Sequence, residues 1–401
     1  MADKVKALTI DIEKDGWEDS KGFVMRDMPM PILDEKKNPE DALAVILKMR
    51  YAGVCGSDRG LWYRTAFKDM VHDSLVWEKK TTRITGHEFV GEIIEAGSMV
   101  KRLYHDQDEK NPAKIEAGSL VSGDSHVTCG RCYQCRLGEE HVCLNEAILG
   151  ISINGIFAEY VKIPAKNLWA VDARRVRPEI AAVYDPFGNA VHACSVVDFR
   201  GQRVAIFGVG PIGMFAILLL RHFGAAKIIA IDVNSANLAT AKELGAHETI
   251  LIPKTTKSSD WIHDKEVVDR IMELTYGKGV DVAMEMAGPA SSLNNCIQST
   301  RRGGQVVVFG IKDGDVTISN FSRMIVVRGL TLHGIIGREI FKTWQIAQRM
   351  LSDTRNGIQD AIWKTILKEG KGTVLDFEKF TPESFEKALN EHPKIAFKIN
   401  G

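Results

Sequence analysis

The feature that most constrains the fold is a glycine-rich turn between an apolar strand and an apolar helix. Gly208, Gly210 and Gly213 follow the apolar run Val204–Phe207. Gly208 allows a tight turn, Gly210 lets the backbone approach a pyrophosphate, and Gly213 lets the helix pack closely against the strand. The free N–H groups at the helix N-terminus then face the phosphates. The pattern predicts a dinucleotide site; a glycine-rich packing turn in another α/β fold is the alternative.

An acidic residue ends the next apolar strand. Asp232 stands about 20 residues beyond the glycines, where dinucleotide-binding folds place a ribose-binding carboxylate. That carboxylate accepts hydrogen bonds from the adenosine ribose and repels a 2′-phosphate. We therefore expect NAD rather than NADP as the cofactor.

The pattern around this turn predicts a parallel sheet. From about residue 190 to 340, strands alternate with helices, which is typical of a doubly wound α/β domain. The predicted strands are apolar throughout, as expected for strands covered on both faces, and they include Val204–Phe207, Ile228–Ile231, Val280–Met284 and Val306–Phe309. Gly310, directly after the last of these, is expected beside the nicotinamide half of the cofactor.

The remainder of the 401 residues has a different character. Residues 1–190 show short strand-like runs with frequent Gly and Pro, which predicts a β-rich domain. The last 60 or so residues are charged and helical, and they end in the apolar run Ile395–Ile399, which could return as a strand to the first domain. Three polar segments, 34–41, 64–82 and 104–117, are predicted to be surface insertions.

Four of the seven cysteines are clustered. Their pattern is C-x2-C-x2-C-x7-C, formed by Cys129, Cys132, Cys135 and Cys143. Four thiolates complete a tetrahedral zinc shell with no open position, so such a site orders a loop and does no chemistry. An iron–sulfur cluster or a redox-active pair is the alternative. The spacing predicts a structural zinc.

Charge and hydropathy exclude several classes of partner. The 52 Lys and Arg residues balance the 52 Asp and Glu residues, so no global field attracts nucleic acid or an anionic membrane. The uncharged run Val204–Leu220 is short for a membrane span and is interrupted by glycines and Pro211. The N-terminus leads directly into a strand-like run without a signal-peptide pattern. We expect a cytoplasmic protein with a small-molecule substrate.

A second set of metal ligands is dispersed along the chain. Cys55 follows a predicted strand, and His87 and Glu88 precede another. One thiolate, one imidazole and one carboxylate leave a zinc coordination position open for substrate. Each residue alone would be more typical of a protein core. Their occurrence in order, upstream of the four-cysteine cluster and the glycine turn, indicates a catalytic zinc.

The motifs CGSD, GHEFVGE, the cysteine cluster, FAEY and GVGPIG resemble, in this order, those of zinc-containing medium-chain alcohol dehydrogenases over nearly the whole chain. Four stretches resemble the threonine 3-dehydrogenases of that family: 122–129, 157–165, 185–192 and 333–344. The resemblance implies a GroES-like catalytic domain at 1–190 completed by 342–401, a Rossmann NAD-binding domain at 191–341, and a homotetramer.

The resemblance also implies roles for individual residues. Cys55, His87 and Glu88 correspond to the catalytic zinc positions, and Ser57 to the hydroxyl that starts the proton relay. Asp185 corresponds to an acidic position beside the metal, and either direct ligation or a role behind the ligands is open, as is direct ligation by Glu88. The implied cofactor contacts are Gly208, Gly210, Ile212, Gly213, Asp232, Phe309, Gly310, Ile311, Ile335 and Ile336.

Three features depart from the family pattern. Gly60 stands where the family has its relay histidine, and Asn237 stands where it has a basic residue after the ribose carboxylate. The insertion 64–82 lies between two ligand segments, and its His72 is a hypothetical replacement for the relay histidine. Water is the other candidate.

The predicted reaction is oxidation of a secondary alcohol with NAD and two zinc ions per chain, with L-threonine giving 2-amino-3-oxobutanoate. His126 and Asn189 are candidates for the substrate pocket. A polyol or other secondary-alcohol dehydrogenase is the alternative enzyme. A dinucleotide-binding protein without activity is a third hypothesis, which the intact Cys55, His87 and Glu88 oppose.

Overall fold

The computed structural model describes residues 4–18, 20–104, 114–253, 263–311 and 314–400. The chain forms two compact units, of which the first comprises Met1–Pro186 with Glu339–Gly401 and the second Phe187–Arg338. The domain limits expected from the sequence, 1–190 with 342–401 and 191–341, remain predictions. Most of the predicted insertion 104–117 lies outside the described residues.

The described residues form eighteen strands. They are β1 Lys4–Asp11, β2 Val24–Pro29, β3 Ala44–Val54, β4 Thr82–Ile84, β5 Glu88–Ala96, β6 Leu120–Gly123, β7 His126–Val127, β8 Ala147–Ile148, β9 Tyr160–Pro164, β10 Leu168–Ala170, β11 Arg203–Phe207, β12 Lys227–Asp232, β13 Glu248–Leu251, β14 Val280–Glu285, β15 Thr300–Val308, β16 Thr331–Gly334, β17 Val374–Asp376 and β18 Ile395–Lys398.

The same residues form thirteen α-helices. They are α1 Gly56–Trp62, α2 Lys68–Glu78, α3 Val100–Leu103, α4 Tyr133–Arg136, α5 Pro178–Ala181, α6 Tyr184–Ala193, α7 Pro211–His222, α8 Ser235–Glu243, α9 Lys265–Leu274, α10 Ala290–Ser299, α11 Lys342–Ser352, α12 Ile358–Ala361 and α13 Pro382–Glu391. No described helix is both long enough and apolar enough to cross a membrane.

The first unit is built around one long strand. Strand β3 is central in a sheet of order β10-β6-β5-β3-β18-β17, and β9 also pairs with it. The C-terminal strand β18 runs antiparallel to β3, with Ala396 opposite Gly53. The apolar run at the end of the chain therefore returns to the first unit as a strand, beside the segment that leads into Cys55. A second sheet has the order β2-β1-β4.

Aromatic packing fixes helix α1, which follows Cys55. Trp62, the last residue of α1, is buried, and its ring lies 4.6 Å from the ring of Phe385 in α13. Phe385 in turn stacks on Phe397 of β18 at 5.5 Å. Aromatic pairs of this kind contribute about 0.5–1.5 kcal/mol each beyond their burial. The C-terminal segment therefore holds the helix that carries Ser57.

The second unit is a six-stranded parallel sheet of order β13-β12-β11-β14-β15-β16. Every neighbouring pair in this sheet is parallel. Strand β11 lies at the centre, and the chain winds outward from it in both directions, as in a Rossmann fold. The fold class predicted from the sequence is confirmed.

Candidate active site and metal centres

The four clustered cysteines converge on one point. Their sulfur atoms all lie within 4.8 Å of one another, and Cys132 Sγ is 3.4 Å from Cys135 Sγ. All seven cysteines lie within the described residues, and none forms a disulfide. The backbone amides of Arg131 and Cys132 lower the pKa of Cys129 to about 6. Four soft donors at this spacing, one already biased toward thiolate, fit a closed tetrahedral zinc site.

The sheet of the first unit assembles the dispersed ligand set. Antiparallel pairing of β3 with β5 places Gly53 opposite Glu88, so the end of one strand meets the start of the other. Cys55 caps the N-terminus of α1, immediately after β3. Donor atoms of Cys55, His87 and Glu88 lie within 4.8 Å of one another. The three residues predicted as catalytic ligands are therefore brought together.

A buried carboxylate supports two of these residues. Asp58 accepts the Cys55 amide on Oδ2 at 2.9 Å, and its Oδ1 lies 3.6 Å from His87 Nδ1. Burial lowers the pKa of His87, but the negative charges of Asp58 and Cys55 outweigh burial and raise that pKa to about 10. Asp58 was not among the predicted site residues, although it belongs to the CGSD motif. A carboxylate behind a ligand histidine is the usual second partner of a metal-bound imidazole.

A buried lysine supports the third candidate ligand, Glu88. Lys394 donates from Nζ to Glu88 Oε2 and, at 2.8 Å, to the Val54 carbonyl oxygen. The side chains of Lys394 and Glu88 are 1% and 0% exposed. Glu88 Oε1 has no hydrogen-bond partner among the described residues. Lys394 binds one carboxylate oxygen of Glu88, and the other oxygen is available. Glu88 is therefore suited to be a metal ligand.

Ser57 and Asp185 lie near the three candidate ligands. Ser57 Oγ is 3.3 Å from His87 Nε2. Burial is the largest effect on the pKa of Glu88 and raises it. The charge of Lys394 lowers that pKa, whereas the charge of Asp185 raises it further. Asp185 is therefore close enough to act on the site electrostatically, but the set of donor atoms within 4.8 Å comprises Cys55, His87 and Glu88. A cluster with this excess of acidic groups favours a bound cation.

Position 60 has a steric reason to be glycine. A Cβ at Gly60 would lie 2.9 Å from the Cβ of Ala66, which belongs to the predicted insertion 64–82. His72, the residue suggested as a replacement for the relay histidine, lies on α2. Its ring packs edge-on against Trp17 with centroids 6.4 Å apart. The structure thus gives His72 an aromatic neighbour, and the relay hypothesis gains no support from it.

The two candidates for the substrate pocket have polar partners. His126 Nδ1 lies 2.8 Å from Glu146 Oε2. In the second unit, Asn189 Oδ1 accepts a hydrogen bond from Arg338 Nη1 at 3.3 Å. Both contacts suit a structural role, and a role in substrate binding stays a prediction.

The glycine turn of the second unit has the expected geometry. Gly208 has a φ of +93°, and a Cβ there would lie 2.8 Å from the Ala287 Cβ. A Cβ at Gly213 would lie 2.3 Å from the Gly208 carbonyl oxygen, whereas no described atom lies within 4 Å of one at Gly210. Gly208 and Gly213 are thus required by packing, and Gly210 leaves the space that an approaching phosphate needs.

Asp232 holds the glycine turn as well as ending β12. Its Oδ2 accepts the Val209 amide at 2.8 Å, and its Oδ1 accepts the Asn234 amide at 2.8 Å. A carboxylate has about four acceptor positions, so two are left for ribose hydroxyls. This contact with the turn was not predicted from the sequence.

The other predicted cofactor contacts lie at the same edge of the sheet. Phe309, Gly310 and Ile311 follow β15, and Ile335 and Ile336 follow β16. The carboxyl ends of parallel strands form the ligand edge of such sheets. Ile212 lies in the first turn of α7. These residues therefore lie along the same edge of the sheet as Gly208, and their role as cofactor contacts stays a prediction.

Comparison with known proteins agrees with this geometry. The family Alcohol dehydrogenase GroES-like domain matches residues 41–173, and the family Zinc-binding dehydrogenase matches residues 211–353. L-threonine 3-dehydrogenase of Bacillus subtilis (strain 168) is 33% identical over 351 residues, which are 87% of this chain and 88% of the relative. The chain belongs to the zinc-binding dehydrogenases, and it is a zinc-dependent alcohol oxidoreductase.

Solved structures show the same fold. An alcohol dehydrogenase from Thermus sp. ATN1 superposes with a TM-score of 0.75 at 22% identity, covering 98% of this chain and 100% of the other. The 2R,3R-butanediol dehydrogenase of Bacillus subtilis superposes with a TM-score of 0.74 at 23% identity, covering 99% and 100%. The predicted combination of a GroES-like and a Rossmann domain is confirmed.

Proposed function

We propose that this enzyme oxidises L-threonine to 2-amino-3-oxobutanoate with NAD. The observation that carries the proposal is the meeting of Cys55, His87 and Glu88 donor atoms within 4.8 Å, with Ser57 adjoining them. The choice of substrate is supported by the curated relative named above and by the four stretches that resemble threonine 3-dehydrogenases.

In this proposal Cys55, His87 and Glu88 hold a catalytic zinc, and the four clustered cysteines hold a second, structural zinc. Bound zinc supplies Lewis acidity that lowers the pKa of an alcohol hydroxyl, and bound NAD supplies the hydride acceptor. Ser57 takes the hydroxyl proton and passes it to water, because Gly60 has no side chain where the family has its relay histidine.

Cofactor choice is assigned to Asp232, whose carboxylate disfavours a 2′-phosphate. Gly208, Gly210 and Gly213 receive the pyrophosphate at the N-terminus of α7. Asn237 leaves the adenosine side without the family's basic residue. We infer NAD preference from these groups, and cytoplasmic location from the reduced thiolates that both zinc sites need.

A homotetramer is proposed from the second unit and from the family resemblance. Strand β16 ends the sheet, and no strand pairs with its outer side among the described residues. Exposed apolar side chains lie in β16 and in the segment that precedes it, among them Phe321, Val326, Val327 and Leu332. Covering such an edge with the same edge of another copy satisfies its free backbone groups.

The test is a panel of alcohols assayed for reduced cofactor formation with NAD and with NADP, using enzyme whose zinc content has been measured. We expect two zinc ions per chain and the highest kcat/KM for L-threonine with NAD. A higher kcat/KM for a polyol or for 2,3-butanediol would replace the threonine assignment with the secondary-alcohol alternative. One zinc and no turnover would indicate a protein that only binds the dinucleotide.

A further inference from the structure

Two of the predicted insertions meet at one groove on the first unit. Asn38 and Glu40 come from the first of them, and Trp77–Thr82 come from the second. The groove has a volume of about 1110 Å³. Its apolar lining includes Val5, Met28, Met30, Ile32, Ile84 and Val161. Part of this surface therefore comes from predicted insertions, and the rest comes from the strands and loops of the first unit.

An exposed tryptophan stands on an anchored helix at this groove. Trp77 is 86% exposed and Val76 is 70% exposed, whereas Val71 and Leu75 on the other face of α2 are fully buried. The buried Arg83 anchors this helix, because its guanidinium donates hydrogen bonds to the side chains of Ser74 and Glu78. A large apolar side chain on a rigid support loses little freedom when it binds, which is characteristic of interface anchors.

The charges of the groove are nearly balanced. Lys80 pairs with Glu78 and Lys162 with Asp41, each at 2.8 Å. Among the described residues, Glu40 and Lys79 have no ion-pair partner. One unpaired charge of each sign gives no attraction for an anionic membrane or nucleic acid. It does give complementarity between two copies of the same surface.

We propose that this groove is an interface with a second copy of the chain. In a two-fold interface the same patch serves on both sides, so a patch with a projecting apolar residue and a recess is complementary to itself. Trp77 and Val76 of one copy enter the groove of the other, and Lys79 faces the partner subunit's Glu40. The inference rests on the proposed self-association and adds a contact on the first unit to the one on the second.

Sedimentation velocity of the zinc-loaded enzyme tests the interface. W77K should halve the particle mass, and so should I32D, since Ile32 is 62% exposed on the groove side. Tyr276, which is 91% exposed on the second unit, provides the matched control: Y276K should keep the wild-type mass. Because these positions are exposed, all three variants should fold and retain their zinc content.

Mixing the first two variants tests reciprocity. A W77K chain paired with an I32D chain has one native contact and one Lys–Asp contact, so the mixture should recover the wild-type mass. An unchanged mass for W77K, the same halving for Y276K, or no recovery on mixing would overturn the proposal. The result is separate from that of the activity panel: an inactive wild type refutes the proposed reaction, whereas an unchanged W77K mass refutes only this interface.

Discussion

Asp58 and His87 form a buried acid–imidazole pair, with Oδ1 3.6 Å from Nδ1. The other oxygen of the same carboxylate accepts the Cys55 amide. One acid therefore fixes two candidate metal ligands that come from different strands. Because Nδ1 of the ring faces this carboxylate, Nε2 is the nitrogen left for a metal, and it is also the atom beside Ser57.

Asp58→Asn should weaken the catalytic zinc while leaving the fold intact. Loss of an outer carboxylate typically costs about 10–100-fold in metal affinity or activity, and the amide keeps the volume and one acceptor for the Cys55 N–H. Competition with a chelator measures the affinity, and kcat measures the activity. Asp269→Asn, an exposed carboxylate on α9, is the control. Equal affinities for both variants would remove Asp58 from the metal site.

Lys394→Met should destabilise the protein strongly. Removing one partner of a buried ion pair costs about 3–5 kcal/mol, since the other charge is left uncompensated. Urea unfolding of metal-free protein measures this loss, and adding zinc should recover part of it because Glu88 regains a cation. Lys394→Arg should lose less. A Lys394→Met variant as stable as wild type would show that Glu88 does not depend on this contact.

The two zinc sites should respond differently to loss of a thiolate. Cys132→Ser should lower the unfolding midpoint, because binding free energy at a closed site contributes directly to folding. Cys55→Ser should fold and bind NAD but show no turnover. Zinc content, thermal melting and NAD titration distinguish the outcomes. If both variants melt alike, the separation into a structural and a catalytic site is wrong.

Asp232→Asn should shift cofactor preference toward NADP. The amide keeps one acceptor for the Val209 or Asn234 N–H but removes the charge that opposes a 2′-phosphate. The ratio of kcat/KM for NADP to that for NAD should rise, and affinity for NAD should fall because the ribose loses its charged acceptor. A wild-type preference for NADP would contradict the assignment before any variant is made.

His72→Ala should leave turnover and its pH profile unchanged. The ring packs on Trp17, so the expected loss is about 0.5–1.5 kcal/mol of stability. If His72 were the relay, its removal would lower kcat by about 10²–10⁴-fold and change its pH profile. The pH dependence of kcat decides between these outcomes, and melting measures the packing loss.

Much of the site could be predicted because it is encoded locally. Gly208, Gly210 and Gly213 lie within one turn whose φ values and close contacts require glycine, and the cysteine spacing alone nearly determines a closed metal shell. Apolar strands separated by helices likewise determine a parallel sheet, since only such a sheet covers both strand faces.

Tertiary structure decided the rest. The contact of Lys394 with Glu88 joins residues 306 positions apart, and nothing local distinguishes that lysine from the other basic residues near the C-terminus. Two further contacts depend on how the insertion packs: the close approach of Gly60 to Ala66 and the contact of the His72 ring with Trp17. The sequence by itself determined which ligands, glycines and strands are present, because backbone geometry and short spacings are local. Only the tertiary structure determined which buried charges meet. A buried charge needs a partner of opposite sign, and that partner is the residue that packing places beside it.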